Sequence, residues 1–137
     1  MKKKVAIVGV KHPDGIAGGA ELFFEGLHKA VLRQGVLADL ILEPSDERDF
    51  DTIKKSYLRF YDLDLSAYDG VISTKSPSYV IRHSNHVCYL VHTMRVFYDM
   101  FDREFPQPGE HMLNSRKFIH ELDTTAFKCN RINKIYT

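Results

Sequence analysis

Residues 4–35 consist of Lys4-Val-Ala-Ile-Val-Gly-Val10, the glycine-rich segment Lys11-His-Pro-Asp-Gly-Ile-Ala-Gly-Gly19, and Ala20-Glu-Leu-Phe-Phe-Glu-Gly-Leu-His-Lys-Ala-Val-Leu-Arg-Gln-Gly35. The first segment is a short apolar run rich in β-branched residues and ended by turn formers, which predicts a strand buried on both faces of a parallel sheet. In the third segment apolar residues recur at offsets of three and four, which predicts a helix over residues 20–34 that ends at Gly35. The loop of this βα unit lies at the carboxyl end of the strand and the amino end of the helix, where free backbone N–H groups and the helix dipole attract anions.

The rest of the chain continues this alternation of strands and helices. Apolar runs and turn residues predict strands over 36–42, 71–74 and 86–92, and a last strand that begins at residue 131. Helical spacing predicts a second helix near residues 50–61, a short helix from Pro77 through Arg82, and a longer helix over 112–130. The apolar residues available for a core face of the longer helix are Leu113, Phe118, Leu122, Ala126 and Phe127. The predicted fold class is α/β, a Rossmann-like open parallel sheet with helices on both faces, in which strand one is central and strand two lies beside it.

Composition bounds the classes of protein to which the chain can belong. At 137 residues, with 44% hydrophobic and 27% charged residues, it has the size and composition of one ordinary globular domain. A formal net charge of +1 provides no electrostatic footprint for nucleic acid. The apolar run after Lys4 is too short for a signal-peptide core or a membrane span, so we expect a cytoplasmic protein. Cys88 and Cys129 match no metal or redox spacing and are expected to be free thiols.

The spacing of the glycines in the first loop argues against two common nucleotide-binding motifs. The G-x-G-x-x-G pattern requires a glycine two residues after Gly9, where Lys11 stands, and no G-K-[ST] sequence is present to form a P-loop. Glu43, at the end of the second strand, occupies the place of a ribose-binding acid, but a carboxylate that ends a strand is commonly only solvated. Gly18 and Gly19 at the helix start remain, and they serve either to bind an anion or only to make a tight turn and close helix packing.

Three segments that follow one another in the chain carry a family resemblance. They are Gly18-Gly-Ala-Glu21 between a strand and a helix, Tyr68-Asp-Gly-Val-Ile-Ser-Thr-Lys-Ser-Pro77, and Asn85-His-Val-Cys-Tyr-Leu-Val-His-Thr-Met-Arg95. In this order they resemble the amino-terminal half of GT-B fold glycosyltransferases, particularly the large retaining family four. The resemblance covers nearly the whole chain and implies a single Rossmann-like, acceptor-side domain over residues 1–137.

The same resemblance implies that a second domain is missing from these residues. In such enzymes a carboxyl-terminal Rossmann-like domain with a pair of glutamates holds the nucleotide-sugar, and no such domain is present here. A strand that begins at residue 131 with no helix after it agrees with this, so we expect the chain to be the amino-terminal domain of a longer protein. We also expect the isolated chain to be inactive.

By resemblance, the activity is the transfer of a sugar from a nucleotide-sugar donor to an acceptor hydroxyl in an interdomain cleft, with no metal and no further cofactor. The backbone of Gly18 and Gly19 is expected to approach the donor diphosphate, and His92 to contact the donor sugar and the reacting centre. Lys75 and Arg95 are candidates to bind phosphate or acceptor groups in the same cleft. The alternatives are that His92 only hydrogen-bonds a loop, and that Lys75 and Arg95 are ordinary surface charges.

Two further groups of side chains have more than one interpretation. His83 and His86 are spaced like metal ligands but lie across a turn without a partner acid or cysteine, so the sequence predicts no metal site. The aromatic segment from Phe97 to Phe105 is compatible with an acceptor-binding loop, with contact to a membrane, or with packing against a second domain. Its mixed charges lack the basic face of a typical membrane-surface helix, and the sequence leaves membrane contact open.

The competing functional class is a complete flavodoxin-like binding or regulatory module. In this alternative the glycine loop takes a phosphorylated ligand or partner and the protein catalyses nothing. The two classes differ in the sequence expected beyond Thr137, because only the transferase requires a second α/β domain of about two hundred residues.

Overall fold

The computed structural model describes residues 2–12, 19–128 and 132–137. Its strands are β1 (Lys4–Lys11), β2 (Leu37–Pro44), β3 (Gly70–Ser73), β4 (His86–Tyr89) and β5 (Lys134–Tyr136). Its α-helices are α1 (Gly19–Arg33), α2 (Phe50–Tyr61), α3 (Phe101–Glu104) and α4 (Glu110–Lys128). Two short 3₁₀ helices span Ser78–Val80 and Arg95–Phe97. The predicted elements are therefore present, with boundaries that differ by a few residues.

The described strands form one sheet in the order β2-β1-β3-β4-β5, and every neighbouring pair is parallel. β1 is an interior strand with β2 beside it, so Lys4 lies opposite Leu37 and Lys11 opposite Pro44. The predicted α/β open parallel sheet is confirmed, although β3 rather than β1 is the middle strand. Pro44 is tolerated in the ladder because β2 is the edge strand and one of its sides needs no backbone donor.

Helices cover both faces of the sheet. Successive residues of β1 point to opposite faces, so each face of this strand packs against a different helix. Ala6, Val8 and Val10 belong to one buried cluster with Phe60 of α2. Gly9 points to the other face, where a Cβ atom at its position would lie 2.7 Å from the ring of Phe24 on α1. The absence of a side chain at Gly9 therefore allows α1 to pack closely against β1.

The first helix begins and ends where its sequence signals indicate. α1 starts at Gly19, one residue before the predicted start, and its last turn is followed by Gly35 with a φ of 80°. The Gly35 N–H donates to the carbonyl of Leu32 at 3.0 Å, and glycine adopts this left-handed conformation without steric cost. The terminating role predicted for Gly35 is confirmed.

The aromatic segment after β4 is part of the protein's own core. Phe97 and Phe101 are 3% and 1% exposed and pack in a cluster with residues of α2 and α4, among them Ile53 and Ile119. The sequence analysis allowed this segment to contact an acceptor, a membrane or another domain. All three interpretations are wrong for these two rings. Their burial stabilises the fold through removal of large apolar surfaces from water.

The buried face of α4 matches the predicted one only in part, because Leu122 packs against a buried cluster and Phe127 contacts the ring of Tyr79, while other predicted residues are exposed. Leu113 and Phe118 were expected in the core but are 41% and 43% exposed, whereas Ser115, Ile119 and Asp123 are buried. The Ser115 hydroxyl is satisfied within the helix, where it donates to the carbonyl of His111 at 2.9 Å. Asp123 is satisfied by tyrosine hydroxyls from elsewhere in the fold, which a count of apolar residues along α4 does not reveal.

His86 lies completely buried in β4, with a single side-chain hydrogen bond. Its Nε2 atom is 2.6 Å from the Ser73 hydroxyl of β3, and its Nδ1 atom has no hydrogen-bond partner in the described part of the chain. Burial, and secondarily the nearby His83, lowers the pKa of His86 to about 4. The imidazole is therefore neutral in the folded protein at neutral pH. Cys88, on the same strand, is a free thiol as predicted, while Cys129 lies outside the described residues.

This lowered pKa predicts acid-sensitive stability. Because the unfolded chain binds the proton at the ordinary pKa of 6.5, stability is fully present above pH 6.5 and is lost as the pH falls towards 4. We expect the free energy of unfolding, measured by urea titration, to fall by about 2 kcal/mol between pH 7 and pH 5. A Ser73→Ala/His86→Leu variant replaces both partners by apolar groups and should lose most of this dependence. If the free energy of unfolding of that variant depends on pH as strongly as that of the wild-type protein, groups other than His86 cause the dependence.

Candidate functional site

The crevice between the carboxyl ends of β1 and β3 is the candidate site. The chain leaves β1 for β2 on one side and later returns to β3 on the other side, so the direction of the strand order reverses between β1 and β3. In open α/β sheets ligands bind outside the carboxyl ends of the strands at such a reversal. The residues that follow β1, β3 and β4 therefore contribute the side chains of the site.

The amino terminus of α1 lies after β1 at this edge. Gly19 is the first residue of α1, whereas Gly18 and the preceding loop fall outside the described residues. Backbone N–H groups in the first turn of a helix have no partner within the helix, and the helix dipole favours negative charge there. For Gly19 the predicted position at a helix start is confirmed, and the role in binding remains a prediction.

Lys75 follows β3 on a backbone that is held in place by several hydrogen bonds. The carbonyl of Lys75 accepts from the N–H of Ser78 at 2.9 Å and from its hydroxyl at 2.6 Å. The neighbouring Thr74 hydroxyl donates to the carbonyl of Val8 in β1 at 3.0 Å. These bonds fix the loop against β1, while the Lys75 ammonium has no ion pair or side-chain hydrogen bond to any described residue.

Lys11 is a cation that the sequence analysis did not select. It is the last residue of β1, it is exposed, and within residues 2–12, 19–128 and 132–137 its ammonium has no ion pair. β1 and β3 are hydrogen-bonded neighbours, with Val8 opposite Ser73, so Lys11 and Lys75 follow adjacent strands at one edge. The position of a lysine at the carboxyl end of the first predicted strand could have identified Lys11 as a candidate site residue. The two ammonium groups and the start of α1 favour a negatively charged ligand.

His92 lies three residues beyond the end of β4, so the prediction that the strand extends to His92 is wrong. The backbone leaves the ladder after Leu90, whose N–H makes a bond of 2.7 Å to the carbonyl of Tyr136. The carbonyl of His92 instead accepts from the N–H of Ser76 at 3.0 Å, which ties the segment after β4 to the loop after β3. The structure thus brings His92 next to the loop that carries Lys75.

The imidazole of His92 has a defined orientation. Its Nδ1 atom is 2.8 Å from the carbonyl of Thr93, and since a carbonyl only accepts, Nδ1 carries the proton. In the neutral form of this ring the Nε2 atom carries a lone pair, and no described residue donates to it. The half-buried ring is therefore prepared to accept a hydrogen bond from a ligand hydroxyl. Its bond to Thr93 also fits the alternative of a histidine that only braces a loop.

Arg95 is exposed and already has a partner. Its guanidinium Nη2 lies 2.9 Å from an oxygen of Asp99, four residues later. The Arg95 guanidinium lowers the pKa of the Asp99 carboxyl, which remains charged at neutral pH. The structure places Arg95 three residues after His92, and its charge is compensated by Asp99, whereas Lys75 has no ion pair to a described residue.

The two histidines considered as metal ligands are engaged elsewhere. His83 Nε2 donates to the carbonyl of Tyr68 at 2.8 Å, and its Nδ1 accepts from the N–H of Asn85 at 2.9 Å. His86 is buried against Ser73. Across the described residues, no group of three or more His, Cys, Asp or Glu side chains is arranged to hold a metal ion. In the same part of the chain, no helix is both long and apolar enough to cross a membrane.

Comparisons with known proteins leave the chain without an assigned family. No family model matches it, and neither a curated protein nor a solved structure matches it. The function must therefore be inferred from the residues and the geometry of the sheet edge.

Proposed function

We propose that this chain is the acceptor-side domain of a retaining GT-B glycosyltransferase, which transfers a sugar from a nucleotide-sugar to an acceptor hydroxyl. The observation that carries the proposal is that the start of α1, Lys75 and His92 follow three parallel strands at one sheet edge. The hydrogen bond between Ser76 and His92 supports it further, because it joins two of the three segments.

In the proposed reaction the bond between the anomeric carbon and the phosphate oxygen breaks, and the nucleoside diphosphate leaves with the electron pair. The acceptor oxygen forms the new bond to the same carbon, and its proton passes to the departing diphosphate. Backbone N–H groups at Gly19 and the Lys75 ammonium stabilise the charge that develops on the diphosphate. His92 Nε2 accepts a hydrogen bond from a hydroxyl of the transferred sugar. Arg95 binds an acceptor or phosphate group only when that group replaces Asp99 as the partner of its guanidinium.

Catalysis in this proposal depends on a second domain that closes over the donor. The described edge supplies cationic and N–H groups that contact the donor from one side, and the second domain supplies the other side. We therefore expect the 137-residue chain to be inactive by itself, and the complete enzyme to work in the cytoplasm through positioning and charge stabilisation.

The test begins with the gene sequence beyond Thr137. The proposal expects about two hundred further residues with a second α/β pattern and a pair of glutamates. The protein with that extension should transfer labelled sugar from at least one member of a panel of nucleotide-sugars, whereas the 137-residue chain should not. A stop codon directly after Thr137 would overturn the proposal.

The strand order favours one second candidate function. The order β2-β1-β3-β4-β5 is that of flavodoxin-like folds, which bind phosphorylated ligands at the β1/β3 reversal without a second domain. This candidate is a stand-alone phospholigand-binding or regulatory module. It expects the 137-residue chain itself to bind a nucleotide or phosphorylated ligand tightly, and it expects no sugar transfer.

Substitution at the helix start tests the proposed contact with the diphosphate. Gly19→Leu in the complete enzyme is expected to raise the KM for the donor about tenfold or more, because a side chain prevents close approach of phosphate to the backbone. Gly26→Leu is the matched control, since Gly26 lies in the same helix with open space around its Cβ position. Equal donor kinetics in the two variants, both folded by circular dichroism, would remove Gly19 from the site.

A further inference from the structure

We propose that Asp123 is a positioning residue that holds the loops of Lys75 and His92 in one fixed arrangement. Asp123 lies on α4 and is 2% exposed. Its role in catalysis rests on the proposed function, whereas the arrangement that it maintains is measurable in the chain without any donor.

The carboxylate of Asp123 is shared between two tyrosines from different parts of the fold. The Tyr57 hydroxyl, on α2, donates to Oδ1 at 2.7 Å. The Tyr98 hydroxyl, in the segment that follows His92, donates to Oδ2 at 2.7 Å. Both rings are therefore hydrogen-bonded to the same buried carboxyl group.

Tyr57 connects Asp123 to the loop after β3. The Tyr57 oxygen lies 3.2 Å from the Ser76 hydroxyl, and since its own proton is donated to Asp123, the Ser76 hydroxyl is the donor here. Ser76 follows Lys75 directly, and its N–H donates to the carbonyl of His92 at 3.0 Å. A continuous series of hydrogen bonds therefore runs from Asp123 through Tyr57 and Ser76 to the backbone of His92.

Tyr98 connects Asp123 to the same segment from its other end. Its N–H donates to the carbonyl of Arg95 at 3.0 Å, and its ring stacks on His120 of α4 with centroids 4.1 Å apart. The segment from His92 to Tyr98 is thus held at one end by Ser76 and at the other by Asp123. One carboxylate fixes both loops, and it does so from the core rather than from the ligand side.

The electrostatics of Asp123 support a role beyond stability. Burial raises the pKa of Asp123 above its ordinary range, against the lowering effect of the hydrogen bonds from Tyr98 and Tyr57. Burial of a carboxyl group costs stability, and apolar residues of similar volume often serve a core at least as well. A residue that costs stability and yet joins two loops at a candidate site fits a positioning role.

The first experiment measures hydrogen exchange of single amides in the 137-residue chain by NMR. In Asp123→Asn and in Tyr57→Phe, the protection of the Ser76 N–H should fall about tenfold or more relative to the amides of β1. The ¹⁵N signals of the His92 ring should also move from the Nδ1–H tautomer towards a mixture. A purely structural network would instead reduce all protection together, because exchange would then proceed through global unfolding.

Tyr68→Phe is the matched control. The Tyr68 hydroxyl donates to Asp39 Oδ2 at 2.7 Å, so the substitution removes the same kind of tyrosine–carboxylate bond. Tyr68 precedes β3 and therefore lies at the amino ends of the strands, whereas the candidate site lies at their carboxyl ends. The control should leave the Ser76 amide and the His92 ring signals unchanged. The proposal is overturned if Asp123→Asn and Tyr57→Phe behave like Tyr68→Phe in both measurements.

A second experiment separates this proposal from the proposed function. In the complete enzyme, Tyr57→Phe is expected to lower kcat about tenfold with the KM for the donor unchanged, because a displaced His92 weakens contacts made in the transition state. Local loss of protection with an unchanged kcat would overturn the positioning role. Failure to find any transferase activity would overturn the proposed function and leave the exchange experiment as an independent test.

Discussion

Replacement of His92 by alanine is expected to lower the turnover of the proposed transferase about ten- to thousandfold, with a modest change in donor binding. The reason is that a group that contacts the reacting sugar contributes mainly when charge develops in the transition state. His92 Nδ1 is committed to the carbonyl of Thr93, so only Nε2 is available for that contact. Steady-state kinetics and thermal melting of the same purified variant provide the measurement.

The alternative role of His92 predicts a different pair of results. If the ring only braces the loop through Thr93, its loss costs about 1 kcal/mol of stability and leaves turnover nearly intact. His111→Ala is a suitable control, because His111 is an exposed histidine near the start of α4 that contacts the ring of Phe50. A destabilised His92→Ala enzyme with full activity would remove the catalytic assignment.

The second large effect is expected where α1 packs against β1. Gly9→Ala places a methyl group 2.7 Å and 2.8 Å from side-chain atoms of Phe24 and Leu42, which should lower the free energy of unfolding by about 1–3 kcal/mol. Phe24→Ala removes a ring that is completely buried and should cost about 3–5 kcal/mol. Urea unfolding of each variant measures both values.

The double variant shows whether the two positions are in direct contact. The methyl group of Gly9→Ala partly fills the cavity left by Phe24→Ala, so the combined loss should be smaller than the sum by about 0.5 kcal/mol or more. Gly26→Ala is the matched control. Its Cβ position is open, and alanine in the interior of a helix should stabilise the protein by about 0.5–1 kcal/mol. Strictly additive losses would contradict the close packing of α1 on β1.

This packing matters for the candidate site because it sets the position of the α1 amino terminus. Gly19 and Phe24 lie on the same helix, and Gly9 lies two residues before the end of β1. A shift of α1 away from β1 would therefore move the N–H groups of its first turn relative to Lys11. If the proposed function holds, donor binding should weaken in Gly9→Ala even at temperatures at which the variant is fully folded.

The amino-acid sequence by itself determined the elements of the fold and their order. The apolar runs, the period-3.6 pattern and turn or stop residues such as Gly35 and Pro77 are local properties, so strands and helices are predicted to within a few residues. Parallel pairing of β1 with β2 follows from the right-handed crossover that a helix between two strands imposes. Lys75 and His92 were expected near one edge for the same reason.

Only the tertiary structure decided which polar groups enter the core and where the site loops lie. The burial of Asp123 on α4 depends on hydroxyls from Tyr57 and Tyr98, which are distant in sequence. Burial of a carboxyl group costs much free energy unless such hydrogen-bond partners are present, and no local sequence pattern predicts these partners. The contact between Ser76 and His92 is likewise a bond between two loops, so its formation depends on the assembled sheet rather than on either loop alone.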